Sequence, residues 1–117
     1  MLPKILRLGG KEDFQAVFQS KKAIFGTEIA LFFRSGAHQQ SRIGFAFKQK
    51  SFPRATYRNF LKRKGNAIMK ELYQSLPKGI DLIILFHKPL PRTVTYQGLK
   101  RATEDLIFRL NKEKKRL

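Results

Sequence analysis

A mixed α/β fold with elements in the order α-β-β-α-β-α is predicted by three observations in this 117-residue chain. The hydrophobic period switches between helical and alternating along the chain. A basic helical segment lies between two strand-like segments, which implies a parallel pair joined by a crossover. At 42% hydrophobic residues, with eleven Phe, the chain also has the apolar mass to bury a core. The length suits one domain spanning residues 1–117.

Gly9-Gly10 precedes Lys11 to Phe18. The acidic first turn, Glu12-Asp13, suits a helix N-terminus, and Phe14, Val17 and Phe18 share one face at i, i+3, i+4. Ala23 to Phe33 reads as one β-rich strand with Gly26-Thr27 near its start. Ser35 to Ser41 reads as a hairpin loop, so Arg42 to Lys48, with Ile43, Phe45 and Phe47 alternating, is expected as an antiparallel partner. Ser51-Phe52-Pro53 ends it.

From about Ala55 to Leu76 the period is helical, and Tyr57, Leu61, Gly65, Ile68, Met69, Leu72 and Leu76 gather on one side. Arg58, Asn59, Lys62, Arg63, Asn66 and Lys70 fill the neighbouring arc. Gly65 costs roughly 1 kcal/mol against Ala inside a helix, and nothing in the sequence accounts for it. Pro77-Lys78-Gly79 closes this helix. Ile80 to His87 is nearly continuous apolar sequence, as in a strand covered on both faces. Lys88 to Pro91 stops it, and Thr95 caps a last helix whose stripe is Leu99, Ala102, Leu106 and Leu110.

Lys and Arg number 25 against 8 Asp and Glu, for a formal net charge of +17. Such self-repulsion points to a polyanionic partner. No carboxylate falls between Glu28 and Glu71, while Arg34, Arg42, Lys48, Lys50, Arg54, Arg58, Lys62, Arg63, Lys64 and Lys70 do. A smaller basic cluster, Lys112, Lys114, Lys115 and Arg116, ends the chain. With no Cys there is neither a disulfide framework nor a thiolate zinc site, and a cytoplasmic location is expected. Met1-Leu2-Pro3-Lys4 lacks the apolar run of a signal peptide, and Leu82 to Phe86 is too short to cross a bilayer.

Catalytic chemistry is not legible. Glu12-Asp13 and Glu104-Asp105 sit where solvent or helix-dipole roles suffice, and His38 and His87 lack metal-ligand spacing. No phosphate loop or nucleophile elbow occurs. Binding chemistry is legible. Arg58, Asn59, Lys62 and Arg63 place guanidinium, amide and ammonium groups on one helical ridge, suited to phosphates, sugar hydroxyls and base edges. Phe14 and Phe18, with Phe32 or Phe33, could floor a site for unpaired bases, although Phe at helical spacing equally suits a core.

Glu12-Asp13-Phe14-Gln15-Ala16-Val17-Phe18, Arg42-Ile43-Gly44-Phe45, Arg58-Asn59-x-x-Lys62-Arg63 and His87-Lys88-Pro89 occur in that order over nearly the whole chain. This pattern resembles the protein component of bacterial ribonuclease P, and the Arg-Asn-x-x-Lys-Arg helix is its most specific part. The resemblance implies a small two-layer α/β sandwich with a left-handed strand-helix-strand crossover, the rare hand. It implies catalysis by an RNA subunit using magnesium, with no cofactor in this chain, and removal of the 5′ leader from precursor tRNA. On the same basis Arg58, Asn59, Lys62 and Arg63, with Lys50 and Arg54 nearby, correspond to the surface that binds the catalytic RNA. Phe14, Phe18, Phe32 and Lys48 correspond to the leader cleft.

There are departures: Phe60 stands at a basic position of the motif, Asn66-Ala67 replaces an Arg-Glu pair, and one residue is added near Phe52-Pro53. Lys64 and Arg54 are placed to compensate. No membrane or protein partner is expected. The alternative is a general RNA-binding or ribosomal-type protein, which needs only the ridge. A leader-binding subunit needs in addition an open apolar groove on a different face. A membrane-surface protein would need an apolar insertion face beside the charges, and the middle helix directs that stripe into the core.

Overall fold

Over residue 3 and residues 6–36, 39–90 and 94–115, the computed structural model places helix α1 (Lys11–Gln19), strands β1 (Ala23–Phe25), β2 (Ile29–Ser35) and β3 (Arg42–Phe47), helix α2 (Ala55–Leu72), strand β4 (Ile80–Phe86) and helix α3 (Tyr96–Lys115). A single 3-10 turn, Tyr73–Ser75, follows α2. His38, Arg116 and the side chains of Lys114 and Lys115 lie outside the described residues.

The four strands form one sheet in the order β1-β2-β4-β3. β3 and β4 are parallel, with α2 as their crossover, as the strand-helix-strand pattern predicts. Three expectations are corrected. In α3, Ala102 is exposed, and Thr103 and Ile107, one and two turns on from Leu99, are buried with Leu106 and Leu110 instead. Ala23 to Phe33 is two strands, because Gly26, Thr27 and Glu28 turn the chain and Gly26 N–H donates to the Ile29 carbonyl at 2.8 Å. Arg42 to Phe47 is not a hairpin partner of β2, because β4 separates them, antiparallel to β2 and parallel to β3. The physical reason is burial. β4 is apolar on both faces, which suits a central position, whereas β3 alternates Ile43, Phe45 and Phe47 with the small Gly44 and Ala46.

Ser41 ties the loop before β3 to the turn before β4. Its hydroxyl donates to the Pro77 carbonyl (2.5 Å) and accepts from Ile80 N–H (3.1 Å), while the Tyr73 hydroxyl donates to the Ser41 carbonyl at 2.6 Å. Gly36 N–H reaches the Gly79 carbonyl at 2.8 Å. The residues expected to close a hairpin therefore bridge across the start of β4.

The sheet divides two apolar layers. On one face Leu31, Phe33, Ile43, Leu82, Ile84 and Phe86 meet Leu61, Ile68 and Met69 of α2 and Leu99, Leu106 and Leu110 of α3. On the other, Ile83 meets Val17 of α1 and Leu8, with Phe14, Phe18, Phe32 and Ala46 packed around them. Gly65 now has an explanation: a Cβ there would lie 2.5 Å from the Phe45 ring. The missing methyl lets β3 approach α2, which offsets the propensity cost. At the far end, Thr95 Oγ1 accepts from Gly98 N–H at 3.0 Å and caps α3 as expected.

Candidate nucleic-acid interface

α2 owes its orientation to its apolar stripe, and that stripe leaves a cationic arc in solvent. Asn59, Lys62, Arg63 and Lys70 are exposed, as are Arg54 at the helix start and Lys48 and Lys50 on the connection from β3. Among the described residues, no carboxylate forms an ion pair with any of these cations. Three members of the arc and stripe behave differently from the sequence expectation. Asn66 is buried, not on the ridge, and its Oδ1 has no hydrogen-bond partner among the described residues. Tyr57, expected in the core stripe, is 38% exposed, and its ring lies 5.9 Å from that of Phe52. Arg58 is half-buried, and its Nη1 donates to the carbonyls of Phe52 (2.7 Å) and Pro53 (3.2 Å). Part of its guanidinium therefore pins the strand-to-helix connection while the helix presents its neighbours.

That connection is a rigid support for the ridge. Phe52 is fully buried and packs edge-on against Phe47 and Phe86, with ring centroids 5.7 and 6.2 Å away. Lys48 N–H donates to the Phe86 carbonyl at 3.0 Å, and the Lys48 carbonyl accepts from Ser51 and Phe52 N–H. Lys48, Lys50 and Arg54 are thus carried on a hydrogen-bonded turn anchored by a core aromatic.

The opposite face of the sheet carries the aromatic residues singled out from the sequence. Phe14, Phe18 and Phe32 come together and are partly buried. Phe33, the other candidate, is 4% exposed and faces α2 and α3. Strand alternation makes that choice, since Phe32 and Phe33 must point to opposite faces. Gly44 lets α1 close onto the sheet, as a Cβ there would lie 2.5 Å from the Phe14 ring. From Phe18 a row of rings runs along the sheet surface: Phe18 to Phe32 (4.9 Å), Phe32 to Phe25 (5.7 Å) and Phe25 to His87 (6.1 Å). Phe25 is 58% exposed.

Sequence reasoning missed Phe25 and His87. The signal was the Gly26-Thr27 turn: once β1 and β2 pair as a hairpin, Phe25 falls on the same face as Phe32. His87, isolated in the sequence, ends the aromatic row. Its Nε2 is buried without a hydrogen-bond partner among the described residues.

Not all the central charge is available to a ligand. Arg42 donates from Nε and Nη2 to the two carboxylate oxygens of buried Asp81 at 3.0 and 3.1 Å. Arg34 Nη2 reaches the same carboxylate at 3.2 Å, and Arg42 Nη1 lies 3.5 Å from Asp13 on α1. The bond to Asp81 holds the Arg42 guanidinium above its ordinary pKa. This network locks α1 to the sheet beside the aromatic cluster, so Asp13 does more than complement a helix dipole. Asp81 does not stand out in the sequence, because a lone Asp opening a strand carries no pattern.

Two surfaces of different chemistry thus lie on different faces of one sheet. A family model described as Ribonuclease P matches residues 2–111. The chain is 31% identical over 114 residues to the ribonuclease P protein component of Microcystis aeruginosa, covering 94% of each chain. It is 34% identical to that of Synechocystis over 111 residues, covering 91% of this chain and 86% of the relative. The chain belongs to the ribonuclease P protein family.

Solved structures agree. The RNase P protein from Thermotoga maritima superposes with a TM-score of 0.75 at 27% identity, over 88% of this chain and 96% of that one. An RNase P protein of Staphylococcus aureus shares the fold, with a TM-score of 0.78 at 17% identity. Membership makes the chain a component of ribonuclease P, an endoribonuclease. Both the cationic arc and the aromatic row fall inside the matched residues. Among the described residues, no three His, Asp or Glu side chains cluster to hold a metal ion, and no helix is long and apolar enough to cross a membrane.

Proposed function

We propose that this chain is the protein subunit of a cytoplasmic ribonuclease P ribonucleoprotein and assists removal of the 5′ leader from precursor tRNA. The observation that carries this reading is the separation of two surfaces by one sheet. A module that only docks on folded RNA needs the cationic ridge of α2. Here the opposite face also offers the partly buried rings of Phe14, Phe18 and Phe32.

Asn59, Lys62, Arg63, Lys50 and Arg54 meet the catalytic RNA, and Arg58 shares its donors between that RNA and its own backbone. Phosphates receive the guanidinium and ammonium groups, with positional effect and little sequence preference. Phe14, Phe18 and Phe32 support stacking by unpaired leader bases, for which every base has a suitable face. Hydrolysis, with the magnesium ions it uses, is assigned to the RNA subunit. The protein contributes binding energy and position, which matter most when magnesium is scarce and RNA phosphates are poorly screened.

Cleavage of precursor tRNA by the cognate catalytic RNA at low magnesium, with and without the protein, tests the proposal. Protein-dependent cleavage at the leader junction is the expected result. Equal cleavage in both arms would reject an assisting role, and cleavage by the protein alone would relocate the chemistry to this chain.

A further inference from the structure

At the start of α2, on the helix that carries the cationic arc, two aromatic rings are left in solvent. Tyr57 is 38% and Phe60 44% exposed, and their rings are nearly parallel, at 18°, with centroids 6.3 Å apart. Tyr57 in turn lies 5.9 Å from buried Phe52 at 26°, so the pair is seated on the core. One turn further on, Lys64 Nζ sits 4.9 Å from the Phe60 centroid and 6.0 Å from that of Tyr96. These side chains, with Leu61 and Leu99 beneath, line a groove of 540 Å³ between α2 and α3.

The surroundings select the occupant. Arg63 follows Phe60 by three positions and Lys64 by four, so both are its neighbours on the helix surface. Glu71, which accepts from the Tyr96 hydroxyl at 3.3 Å, is already paired with Lys100 at 3.0 Å. A flat apolar surface bordered by cations on a chain of net charge +17 suits a flat ring attached to an anion and disfavours a second copy of the same chain.

We propose that the Tyr57–Phe60 pair is a stacking site for one unpaired base of the RNA that docks on α2, with Lys64 meeting the adjoining phosphate. This rests on the reading of α2 as the docking helix. On binding, Lys64 exchanges an exposed cation–π contact for an ion pair, and the aromatic pair contributes sequence-tolerant stacking.

The chain contains no Trp, so Phe60→Trp installs a single indole reporter. Full-length protein is titrated with the cognate catalytic RNA. The expected results are quenching of the indole and protection from acrylamide for Phe60→Trp. For Phe60→Ala, assembly should weaken by about 5- to 150-fold with an unchanged salt slope. Wild-type assembly by Phe60→Ala, with indole emission unmoved at saturating RNA, would overturn the proposal. So would an emission change that depends on protein concentration in the absence of RNA, which would assign the groove to a second copy. Lys62→Ala/Arg63→Ala is run alongside. If it weakens assembly and Phe60→Ala does not, the stacking site alone falls. If it too changes neither affinity nor slope, the docking helix itself is misassigned.

Discussion

Arg42 grips Asp81 through two parallel hydrogen bonds, 3.0 and 3.1 Å long, between two strands that are neighbours only because α2 crosses over between them. The same carboxylate takes Arg34 from β2, so one 1%-exposed Asp ties three strands together and, through Arg42 and Asp13, fixes α1. Asp81→Asn should therefore destabilise the protein by about 3 kcal/mol. That is the low end of the cost of breaking a buried pair, because both arginines keep partial access to water. Chemical denaturation measures it, and a change under about 1 kcal/mol would show that the network is ornamental to folding.

The ridge makes separable predictions for its members. Lys62→Ala and Arg63→Ala each remove one cation from the phosphate-facing arc. Each should reduce the log-log salt slope of catalytic-RNA binding by roughly 0.7 to 0.9, with the melting temperature unchanged. Arg58→Ala should differ, because its Nη1 serves the Phe52 and Pro53 carbonyls. It should also reduce stability by about 1 to 3 kcal/mol, the usual scale for charged hydrogen bonds.

For the aromatic row the measurement is paired. Phe18 packs at 4.9 Å from Phe32 but keeps part of its surface in solvent. Phe18→Ala should cost less than the roughly 3 to 5 kcal/mol of a fully buried Phe. It should weaken binding of leader-bearing precursor tRNA by about 1 to 3 kcal/mol and leave mature tRNA nearly unaffected. Equal weakening for both RNAs with a much lower melting temperature would return Phe18 to the core.

Gly44 tests whether α1 must lie close to the sheet. In Gly44→Ala the new methyl would meet the Phe14 ring at 2.5 Å and the Leu8 Cβ at 3.2 Å. Overpacking of this kind costs about 1 to 3 kcal/mol. Leader binding should fall with stability, while catalytic-RNA binding through α2, on the other face, should hold. Calorimetry and binding on the same preparation distinguish the two effects.

Glu71 and Lys100 join α2 to α3 at 3.0 Å, and the Lys100 hydrogen bond holds the Glu71 carboxyl below its ordinary value. A carboxylate depressed on folding contributes stability in full above its ordinary value of about 4.5, and loses it as pH falls through the lowered folded value. Glu71 is exposed and Lys100 only half-buried, so the effect is small. The stability difference between wild type and Glu71→Gln should be constant near neutrality and vanish in acid. A difference that grows with acidity would have the wrong sign.

Local chemistry was legible wherever a residue's neighbours in sequence are also its neighbours in space. The period of α1, most of that of α2, the Thr95 cap and the charge of the α2 arc depend on spacings of a few residues and appear in the fold, whereas Tyr57 and Ala102, expected in the stripes of α2 and α3, are exposed. What the chain could not disclose on its own depends on long-range pairing. Sheet order is one case: a loop after Ser35 reads as a hairpin until a more apolar strand, drawn from far along the chain, takes the central place. Asp81 is another, since a buried carboxylate is tolerable only where two distant arginines converge on it. Phe25, His87 and the Tyr57–Phe60 pair are the last. Whether an aromatic ring is core or contact surface depends on whether another element covers it, and coverage is a property of the packed molecule.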